Sequence, residues 1–314
     1  MQHLAVAIIG SGPAGLTAAI YTSRARLQTT LFAGQEIGGQ LMYTGEVENF
    51  PGFPEGKSGP LLMMDLQKQA QRFGTTIEFA TVSKVDFSAR PFKLWVQSAP
   101  DQEADYQAET VIISTGASSI MLGVPGEKEY LGRGVSTCAV CDAAFYKDKS
   151  VYVIGGGDSA MEDTMALSKF AKQVTVVHRR DTFKASKIMQ ERVLKHPGIK
   201  VLWNSQLKQV EGDGQRVTGL VLEVGGQEQQ VAADGVFLAI GHKPASGLFT
   251  QQLAIDAAGY IELASHPTYS TQTSVAGVFA AGDVTDHRYR QAIVSAGMGC
   301  KAALDAEHFL AEQE

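Results

Sequence analysis

Two cysteines three residues apart are the clearest reactive groups in the sequence, in the segment Cys138-Ala-Val-Cys141-Asp142. At this spacing they are able to close a small disulfide ring and exchange it with a partner thiol. A helix starting here would favour the thiolate of Cys138 through its N-terminus. A zinc site would need about four ligands, and the third cysteine, Cys300, is far away in sequence. We therefore predict a redox pair. Asp142 is either a helix-start carboxylate or a group that moves a proton at a departing thiolate.

A dinucleotide-binding fingerprint opens the chain. An apolar run at residues 4–9 leads into Gly10-Ser-Gly-Pro-Ala-Gly15 and then an Ala-rich helical segment. In this pattern the first glycine allows a tight turn, the second lets the backbone approach a pyrophosphate, and the third allows close helix–strand packing. The alternative is a purely structural turn. Ala33 stands where the second strand should end in an acidic residue for a ribose, so we expect ribose contacts from elsewhere.

The fingerprint is repeated in the middle of the chain, after an apolar run at residues 150–154. Here an alanine takes the third glycine's place, which the pattern allows. The following strand ends in basic residues, with no carboxylate for a free 2′-hydroxyl, and the arginine forks match a 2′-phosphate. The alternative is a solvated basic loop. We predict NADPH rather than NADH, with contacts from Gly155, Gly157, Asp158, Ser159, Ala160, His178, Arg179, Arg180 and Lys184.

A last constellation precedes the C-terminal helix, which we expect to begin at about Tyr289. Gly282-Asp283 comes first, and Arg290-Gln291-Ala292 would form the first helical turn. A helix N-terminus supplies the positive potential that the pyrimidine ring of an anionic flavin needs. Plain helix capping by Asp286 is the alternative.

These elements indicate an α/β fold with two Rossmann-like dinucleotide-binding domains, the second inserted in the first. The chain has 314 residues, of which 44% are hydrophobic, and this suits two domains. Turn-rich joints at residues 116–119 and 241–247 mark the limits. We predict an FAD-binding domain from residues 1–115 and 247–314, and an NADPH-binding domain that carries the cysteine pair at residues 116–246.

Composition narrows the class of protein. The net charge is −6 and no stretch is strongly basic, so we expect no nucleic-acid partner. No apolar window approaches about 18 residues, so we expect no membrane span. Three cysteines argue against a secreted disulfide framework and favour the reducing cytoplasm. We expect no bound metal.

Several further segments, taken together with these motifs, resemble one family. In chain order they are Gly38-Gly39-Gln40-Leu41, Val47-Glu48-Asn49-Phe50-Pro51-Gly52, Cys138-Ala-Val-Cys141-Asp142, His178-Arg179-Arg180, Phe279-Ala-Ala-Gly-Asp283 and Tyr289-Arg-Gln-Ala292. With the two fingerprints, the chain resembles the low-molecular-weight thioredoxin reductases of bacteria, in the class II pyridine nucleotide-disulfide oxidoreductases. The resemblance runs nearly end to end and keeps the order of the motifs.

The resemblance implies a homodimer with FAD in each subunit and thioredoxin as the partner. It implies that electrons pass from NADPH to FAD, to the Cys138–Cys141 disulfide, and then to thioredoxin. Cys141 would lie nearer the flavin, Cys138 would attack thioredoxin, and Asp142 would be the acid/base. The predicted FAD contacts are Gly10, Ser11, Gly12, Pro13, Ala14, Gly15, Gly34, Gln35, Glu36, Ile37, Gly38, Gly39, Gln40, Leu41, Asn49, Asp283, Val284, Arg290, Gln291 and Ala292.

Small departures and three alternatives accompany this interpretation. Lys184 stands where many members have Arg, and Ala143 and Ala245 replace Gly and Asn. A reductase of the same build that acts on another protein disulfide or a small oxidant is the first alternative, and the sequence near Cys138 leaves it open. A non-catalytic redox sensor is a second alternative. A ferredoxin–NADP reductase of similar fold is a third, but it would lack the cysteine pair.

Overall fold

The computed structural model describes residues 1–35 and 37–313, and the chain divides into two compact units. The first unit comprises Met1–Ser118 and Lys243–Glu314, and the second comprises Ser119–His242. These limits lie within a few residues of the joints at 116 and 246 expected from the sequence. Within the described residues, no helix combines the length and the apolar character needed to cross a membrane.

Strands and helices alternate along the first part of the chain. Its helices are α1 (Pro13–Arg24) and α2 (Gly59–Arg72). Its strands are β1 (Gln2–Ile9), β2 (Thr29–Phe32), β3 (Glu46–Val47), β4 (Lys57–Ser58), β5 (Thr76–Glu78), β6 (Lys84–Asp86), β7 (Phe92–Trp95), β8 (Tyr106–Ile113) and β9 (Ala117–Ser119).

The second unit follows, and the chain then returns to the first. The second unit contains the helices α3 (Ala139–Asp142), α4 (Asp158–Leu167) and α5 (Lys187–Lys195). Its strands are β10 (Val135–Ser136), β11 (Ser150–Ile154), β12 (Gln173–Val177), β13 (Ile199–Leu202), β14 (Ser205–Gly212), β15 (Val217–Val224), β16 (Gln227–Ala232) and β17 (Gly235–Leu238). After it come β18 (His242–Pro244), β19 (Val278–Ala280) and α6 (Ala292–Ala311), and β18 pairs with β9.

A seven-stranded sheet organises the first unit, in the order β5-β2-β1-β8-β7-β6, with β19 also on β8. The strands β5, β2, β1, β8 and β19 run parallel, whereas β6 and β7 are antiparallel additions. Strand β1 is buried on both faces because its successive side chains alternate. Val6 and Ile8 pack in the cluster that contains residues of α1 and α6, and Ala7 and Ile9 pack on the opposite face.

The helix α6 begins later than the sequence suggested. It starts at Ala292, whereas the expected start was about Tyr289, so Arg290 lies before it rather than in its first turn. Arg290 is in the left-handed region at φ 47°, and the carboxylate of Asp286 accepts the backbone N–H groups of Arg288, Tyr289 and Arg290. These bonds hold a turn there instead of a helix, and Asp286 orders this turn rather than capping α6.

A five-stranded parallel sheet, ordered β10-β17-β11-β12-β13, organises the second unit, beside the antiparallel sheet β14-β15-β16. Helix α3 packs against α4, since Ala139, Ala160 and Met161 belong to one buried cluster. The cysteine pair and the second glycine turn therefore share a core. The two parallel sheets confirm the predicted α/β class with two Rossmann-like units.

The glycine-rich segment between β2 and α2 carries short regular elements. Residues 38–59 contain a 3₁₀ helix (Gly39–Tyr43) and the antiparallel pair β3–β4, in which Glu46 lies opposite Ser58. A Cβ atom on Gly59 would lie 2.0 Å from the carbonyl oxygen of Leu41, so only glycine lets this segment approach the start of α2. The elements are too short to produce a period in the sequence.

Candidate active site

In the first glycine turn, two glycines are required by close packing and a third borders open space. A Cβ atom on Gly10, at φ 112°, would lie 2.3 Å from the carbonyl oxygen of Ser114, and one on Gly15 would lie 2.0 Å from that of Gly10. A Cβ atom on Gly12 would have no neighbour within 4 Å. Two glycines thus let β1, α1 and β8 pack closely, and Gly12 leaves room for a ligand.

The N-terminus of α1 is free to bind an anion. Gly12 is the N-cap residue, no side chain caps the helix, and Pro13 takes the first helical position. The first turn contains no acidic residue. Its unpaired N–H groups therefore point to the space beside Gly12, which is the arrangement that binds a pyrophosphate. The side chain of Ala14 is buried, so Ala14 could contact a cofactor only through its backbone.

The loop after β2 is tied to this turn by Ser11. The Ser11 hydroxyl donates to the carbonyl oxygen of Ala33 (3.1 Å) and accepts the N–H of Gly38 (3.1 Å). A Cβ atom on Gly39 would lie 3.4 Å from the Cα of Gly12, so the two glycines are neighbours. Ala33 is buried, in agreement with the expectation that it makes no ribose contact.

The other residues predicted in this loop vary in accessibility. Gly34 has φ 76°, Gln35 and Gln40 are exposed, and Ile37 and Leu41 pack partly against the core beneath α1. The side-chain amide of Gln40 donates to the carbonyl oxygen of Ala117. Glu36 lies outside the described residues.

Two distant predicted contacts meet before α6. The amide of Asn49 donates to the side-chain oxygen of Gln291 at 3.3 Å. Gln291 is the N-cap residue of α6, but its side chain makes no capping bond, so this helix also begins with free N–H groups. Arg290 reaches the hydroxyl of Tyr260 at 3.5 Å. Asn49, Arg290, Gln291 and Ala292 thus lie together at the start of α6.

Asp283 and Val284 lie at the end of β19. Burial raises the pKa of Asp283, and a 2.8 Å hydrogen bond from the hydroxyl of Ser295 on α6 opposes that shift. Val284 is fully buried, so it could contact a cofactor only through its backbone. A Cβ atom on Gly282 would lie 2.9 Å from the Cβ of Ala14, which brings this segment beside the first glycine turn.

The second glycine turn repeats this geometry. A Cβ atom on Gly155 would lie 2.4 Å from the carbonyl oxygen of Ala239 and 2.8 Å from the Cβ of Ala160, whereas one on Gly157 would meet nothing within 4 Å. Gly157 is the uncapped N-cap residue of α4. The first-turn carboxylate of Asp158 accepts the N–H of Ser186 at 2.9 Å, which lowers its pKa. Ser159 is partly buried in the same turn.

The basic segment after β12 separates into one buried ring and three exposed cations. The ring nitrogens of His178 lie 3.1 Å from the carbonyl oxygen of Gly155 and 3.0 Å from that of Thr182. The ring is buried and lies against Gly156, where a Cβ atom would be 2.2 Å away. His178 therefore supports the glycine turn from inside the unit. The side chains of Arg179, Arg180 and Lys184 are exposed and able to reach a phosphate.

The backbone ties Lys184 to the same turn. The N–H groups of Lys184 and Ala185 donate to the carbonyl oxygen of Gly156 at 2.8 and 3.2 Å. The loop that carries the third cation is thus held beside the N-terminus of α4. Together the uncapped helix and the exposed cations fit a dinucleotide with an additional phosphate.

Cys138 and Cys141 form a disulfide with a Cα–Cα distance of 5.3 Å. Cys138 is the N-cap residue of α3, and its sulfur accepts the N–H of Cys141 at 3.2 Å. Both cysteines are partly exposed. The sulfur atoms are therefore held at a helix start where a partner disulfide has access.

Asp142, the next residue, has a half-buried carboxyl group. Burial raises its pKa, and a hydrogen bond from the hydroxyl of Ser136 partly opposes the shift. The Ser136 hydroxyl also accepts the N–H of Cys138 at 3.1 Å. A carboxyl group with a raised pKa is suited to donate a proton to a thiolate. Ser136 and Ser295 were not predictable from the sequence, because an isolated serine carries no pattern.

The described residues form two glycine turns, each at the uncapped N-terminus of a helix, and a disulfide next to the half-buried carboxyl group of Asp142. The family model for pyridine nucleotide-disulphide oxidoreductases matches residues 4–299. This chain belongs to that family.

Proteins named thioredoxin reductase are similar to this member over its full length. The one from Yarrowia lipolytica is 47% identical over 323 aligned residues, which cover 100% of both chains. The one from Mycolicibacterium smegmatis is 49% identical, and the alignment covers 98% of this chain and 97% of that protein. The structure of thioredoxin reductase from Giardia duodenalis has a TM-score of 0.91 and 44% identity, covering 99% of this chain and 100% of that chain. The predicted resemblance to the low-molecular-weight type is confirmed.

Proposed function

We propose that this chain is an NADPH-dependent, FAD-containing thioredoxin-disulfide reductase that works through Cys138 and Cys141. The observation that carries the proposal is the partly exposed disulfide beside the half-buried carboxyl group of Asp142, whose pKa is raised. The same unit contains a nucleotide turn followed by exposed arginines. A disulfide of purely structural role would not need this combination.

The residues present fit both cofactors. The turn from Gly10 to Gly15, the loop tied to Ser11 and the start of α6 would hold FAD, because two uncapped helix N-termini and an open glycine lie together there. The turn at Gly157 with Arg179, Arg180 and Lys184 would hold NADPH. When bound, FAD supplies hydride chemistry, since it takes a hydride from NADPH and delivers two electrons to a disulfide.

The chain's own groups perform the exchange with the substrate. In the dithiol form, the Cys138 thiolate attacks one sulfur of the substrate disulfide, forms a mixed disulfide and releases the other substrate sulfur as a thiolate. The Cys141 thiolate then attacks the Sγ of Cys138, which restores the Cys138–Cys141 disulfide and releases the second substrate thiolate. Asp142 donates a proton to a departing thiolate, and burial keeps that proton available at higher pH.

The test is NADPH consumption by the purified FAD-loaded protein, with oxidised thioredoxin as the acceptor and thiol release measured in parallel. We expect one NADPH oxidised for each disulfide reduced. Turnover with another disulfide protein but none with thioredoxin would favour the alternative reductase. NADPH binding without turnover of any disulfide would favour a redox sensor.

We also propose a homodimer in the cytoplasm. Exposed apolar side chains on three helices of the first unit support the dimer: Tyr21 on α1, Leu61 and Met64 on α2, and Leu304 on α6. Helix α1 packs against both α2 and α6, so these side chains form a surface that an identical subunit could cover. Light scattering would determine the mass. The cytoplasmic location stays a prediction from the cysteine content.

A further inference from the structure

Four exposed lysines and one exposed phenylalanine lie where two segments of the second unit meet. The backbone N–H of Asp148 donates to the carbonyl oxygen of Phe170 at 3.0 Å, and that of Lys172 donates to the carbonyl oxygen of Lys149 at 2.9 Å. These bonds hold residues 147–149 beside residues 169–172. Their exposed side chains define what is called here the lysine patch: Lys147, Lys149, Lys169, Phe170 and Lys172.

The charge of the lysine patch opposes that of the whole protein. The chain carries a net charge of −6, yet within these two segments only Asp148 offsets the four lysines. None of the salt bridges in the described part of the chain involves these lysines. The ammonium group of Lys149 donates to the carbonyl oxygen of Phe145 at 2.9 Å, and the nearby carboxylate of Asp234 accepts the N–H of Ser150 at 2.8 Å, so the lysines outnumber the acids. The patch is therefore a local positive field on an acidic protein.

The lysine patch continues the accessible surface of the cysteine pair. Helix α3 passes directly into a 3₁₀ helix (Ala143–Tyr146), with Ala139 and Ala143 buried. Val140, Ala144 and Lys147 are exposed along this segment. From the rise of these helices, Lys147 lies about 15 Å from Cys138. A standard interface of about 800 Å² per partner has a radius of about 16 Å, so one centred on Cys138 reaches the patch.

We propose that the lysine patch docks an acidic face of the protein disulfide substrate and so orients its disulfide over Cys138. This inference rests on the proposed function, and it adds the chemistry by which the substrate is recognised. The lysines attract and align the partner, and the exposed ring of Phe170 supplies an apolar contact within the patch.

The test compares two triple charge reversals in the FAD-loaded protein. The patch variant is Lys147→Glu, Lys169→Glu and Lys172→Glu. The control is Arg26→Glu, Lys93→Glu and Lys208→Glu, which makes the same change of charge on exposed basic residues that lie outside the patch and on no strand paired with its segments. Circular dichroism checks that both variants fold.

We expect the patch variant to lower kcat/KM for thioredoxin by about tenfold to a hundredfold, mainly through KM, and the control to change it little. Turnover of the small uncharged hydroxyethyl disulfide should be unchanged in both. Rising ionic strength should weaken the wild-type reaction with thioredoxin and affect the patch variant much less. Equal kcat/KM values and equal salt dependence in the patch variant and the wild type would overturn the proposal.

A direct binding measurement separates failure of this inference from failure of the proposed function. Calorimetry of oxidised thioredoxin with the Cys138→Ser, Cys141→Ser protein needs no turnover. Adding the patch reversals should weaken this affinity about tenfold or more. Wild-type protein that binds thioredoxin through the patch but never reduces it would contradict the proposed function alone. An affinity that the reversals leave unchanged would contradict docking at the patch.

Discussion

The hydroxyl group of Ser136 accepts the backbone N–H of Cys138 at 3.1 Å, and the same hydroxyl lowers the pKa of Asp142, which burial raises. Replacement of Ser136 by Ala removes the hydroxyl, so we expect a further rise in the pKa of Asp142. Activity that depends on protonated Asp142 falls as pH rises through that pKa. In Ser136→Ala the alkaline limb of kcat/KM for thioredoxin should therefore move to higher pH.

The matched control for this shift is Ser168→Ala, which removes a hydroxyl bonded only to the carbonyl oxygen of Met165 in the same unit. Its pH profile should coincide with that of the wild type. A profile of Ser136→Ala that moved to lower pH would mean that the serine does not stabilise the carboxylate.

The variant Asp142→Asn should have a higher folding stability at neutral pH and a lower activity than the wild type. Because the pKa of Asp142 in the folded protein is raised above its ordinary value of 3.8, the acid form favours folding. That stability is fully present below the ordinary pKa and is lost as pH rises through the folded pKa. At neutral pH the asparagine variant should therefore melt at a higher temperature than the wild type, and the difference should vanish below pH 3.8.

The same variant should reduce thioredoxin about 100-fold more slowly, because the general acid is absent. Thermal melts across this pH range and steady-state rates are the measurements. Asp101→Asn, at an exposed position outside the lysine patch, is the control and should alter neither quantity. A lower melting temperature for Asp142→Asn at neutral pH would contradict the burial argument.

Alanine at Gly12 and at Gly15 should affect different properties. At Gly15 the methyl group would lie 2.0 Å from a backbone oxygen, so we expect a loss of folding stability of about 1–3 kcal/mol or more. At Gly12 it would meet no protein atom but would fill the space for the pyrophosphate. We expect Gly12→Ala to fold normally and to bind FAD at least about tenfold more weakly.

Urea unfolding of the apoprotein and FAD titration separate the two effects. Gly247→Ala is the control, because an added Cβ atom there also meets nothing within 4 Å, and both quantities should stay unchanged. Normal FAD affinity in Gly12→Ala would show that this turn does not hold the cofactor.

Replacement of both Arg179 and Arg180 by Ala should affect NADPH selectively. Each charge-assisted hydrogen bond is worth roughly 1.5–3 kcal/mol, so each one lost should raise KM for NADPH roughly 10- to 150-fold. KM for NADH should change little, since NADH lacks the 2′-phosphate. Arg192→Ala, on the exposed part of α5, is the control. If the double variant preferred NADPH over NADH as strongly as the wild type does, the basic segment would be a solvated loop that makes no contact with the 2′-phosphate.

The Cys138→Ser, Cys141→Ser variant should separate cofactor binding from disulfide chemistry. The glycine turns do not involve either sulfur, so bound FAD and NADPH affinity should remain near the wild-type values. Reduction of thioredoxin should be lost, because no thiol remains to attack its disulfide. Visible flavin absorbance, NADPH titration and thioredoxin turnover are the measurements. Thioredoxin turnover close to the wild-type rate would remove the pair from the mechanism.

The sequence by itself determined the two nucleotide turns and the redox pair. A strand, a glycine turn and a helix are specified by neighbouring residues, and only glycine tolerates the close approaches at Gly10 and Gly155. The ring that joins Cys138 to Cys141 also depends on short spacing alone. The α/β class with two nucleotide-binding units was therefore predictable, and it is confirmed.

Only the tertiary structure decided how the side chains around these motifs are used. His178 belongs to the basic motif, yet its ring is buried under Gly156, while Arg179 and Arg180 stay exposed. Asn49 and Gln291 meet although they are 242 positions apart in the sequence. The acidity of Asp142 depends on its burial and on Ser136. Burial and hydrogen bonding are set by segments distant in sequence, so local residue spacing does not encode them.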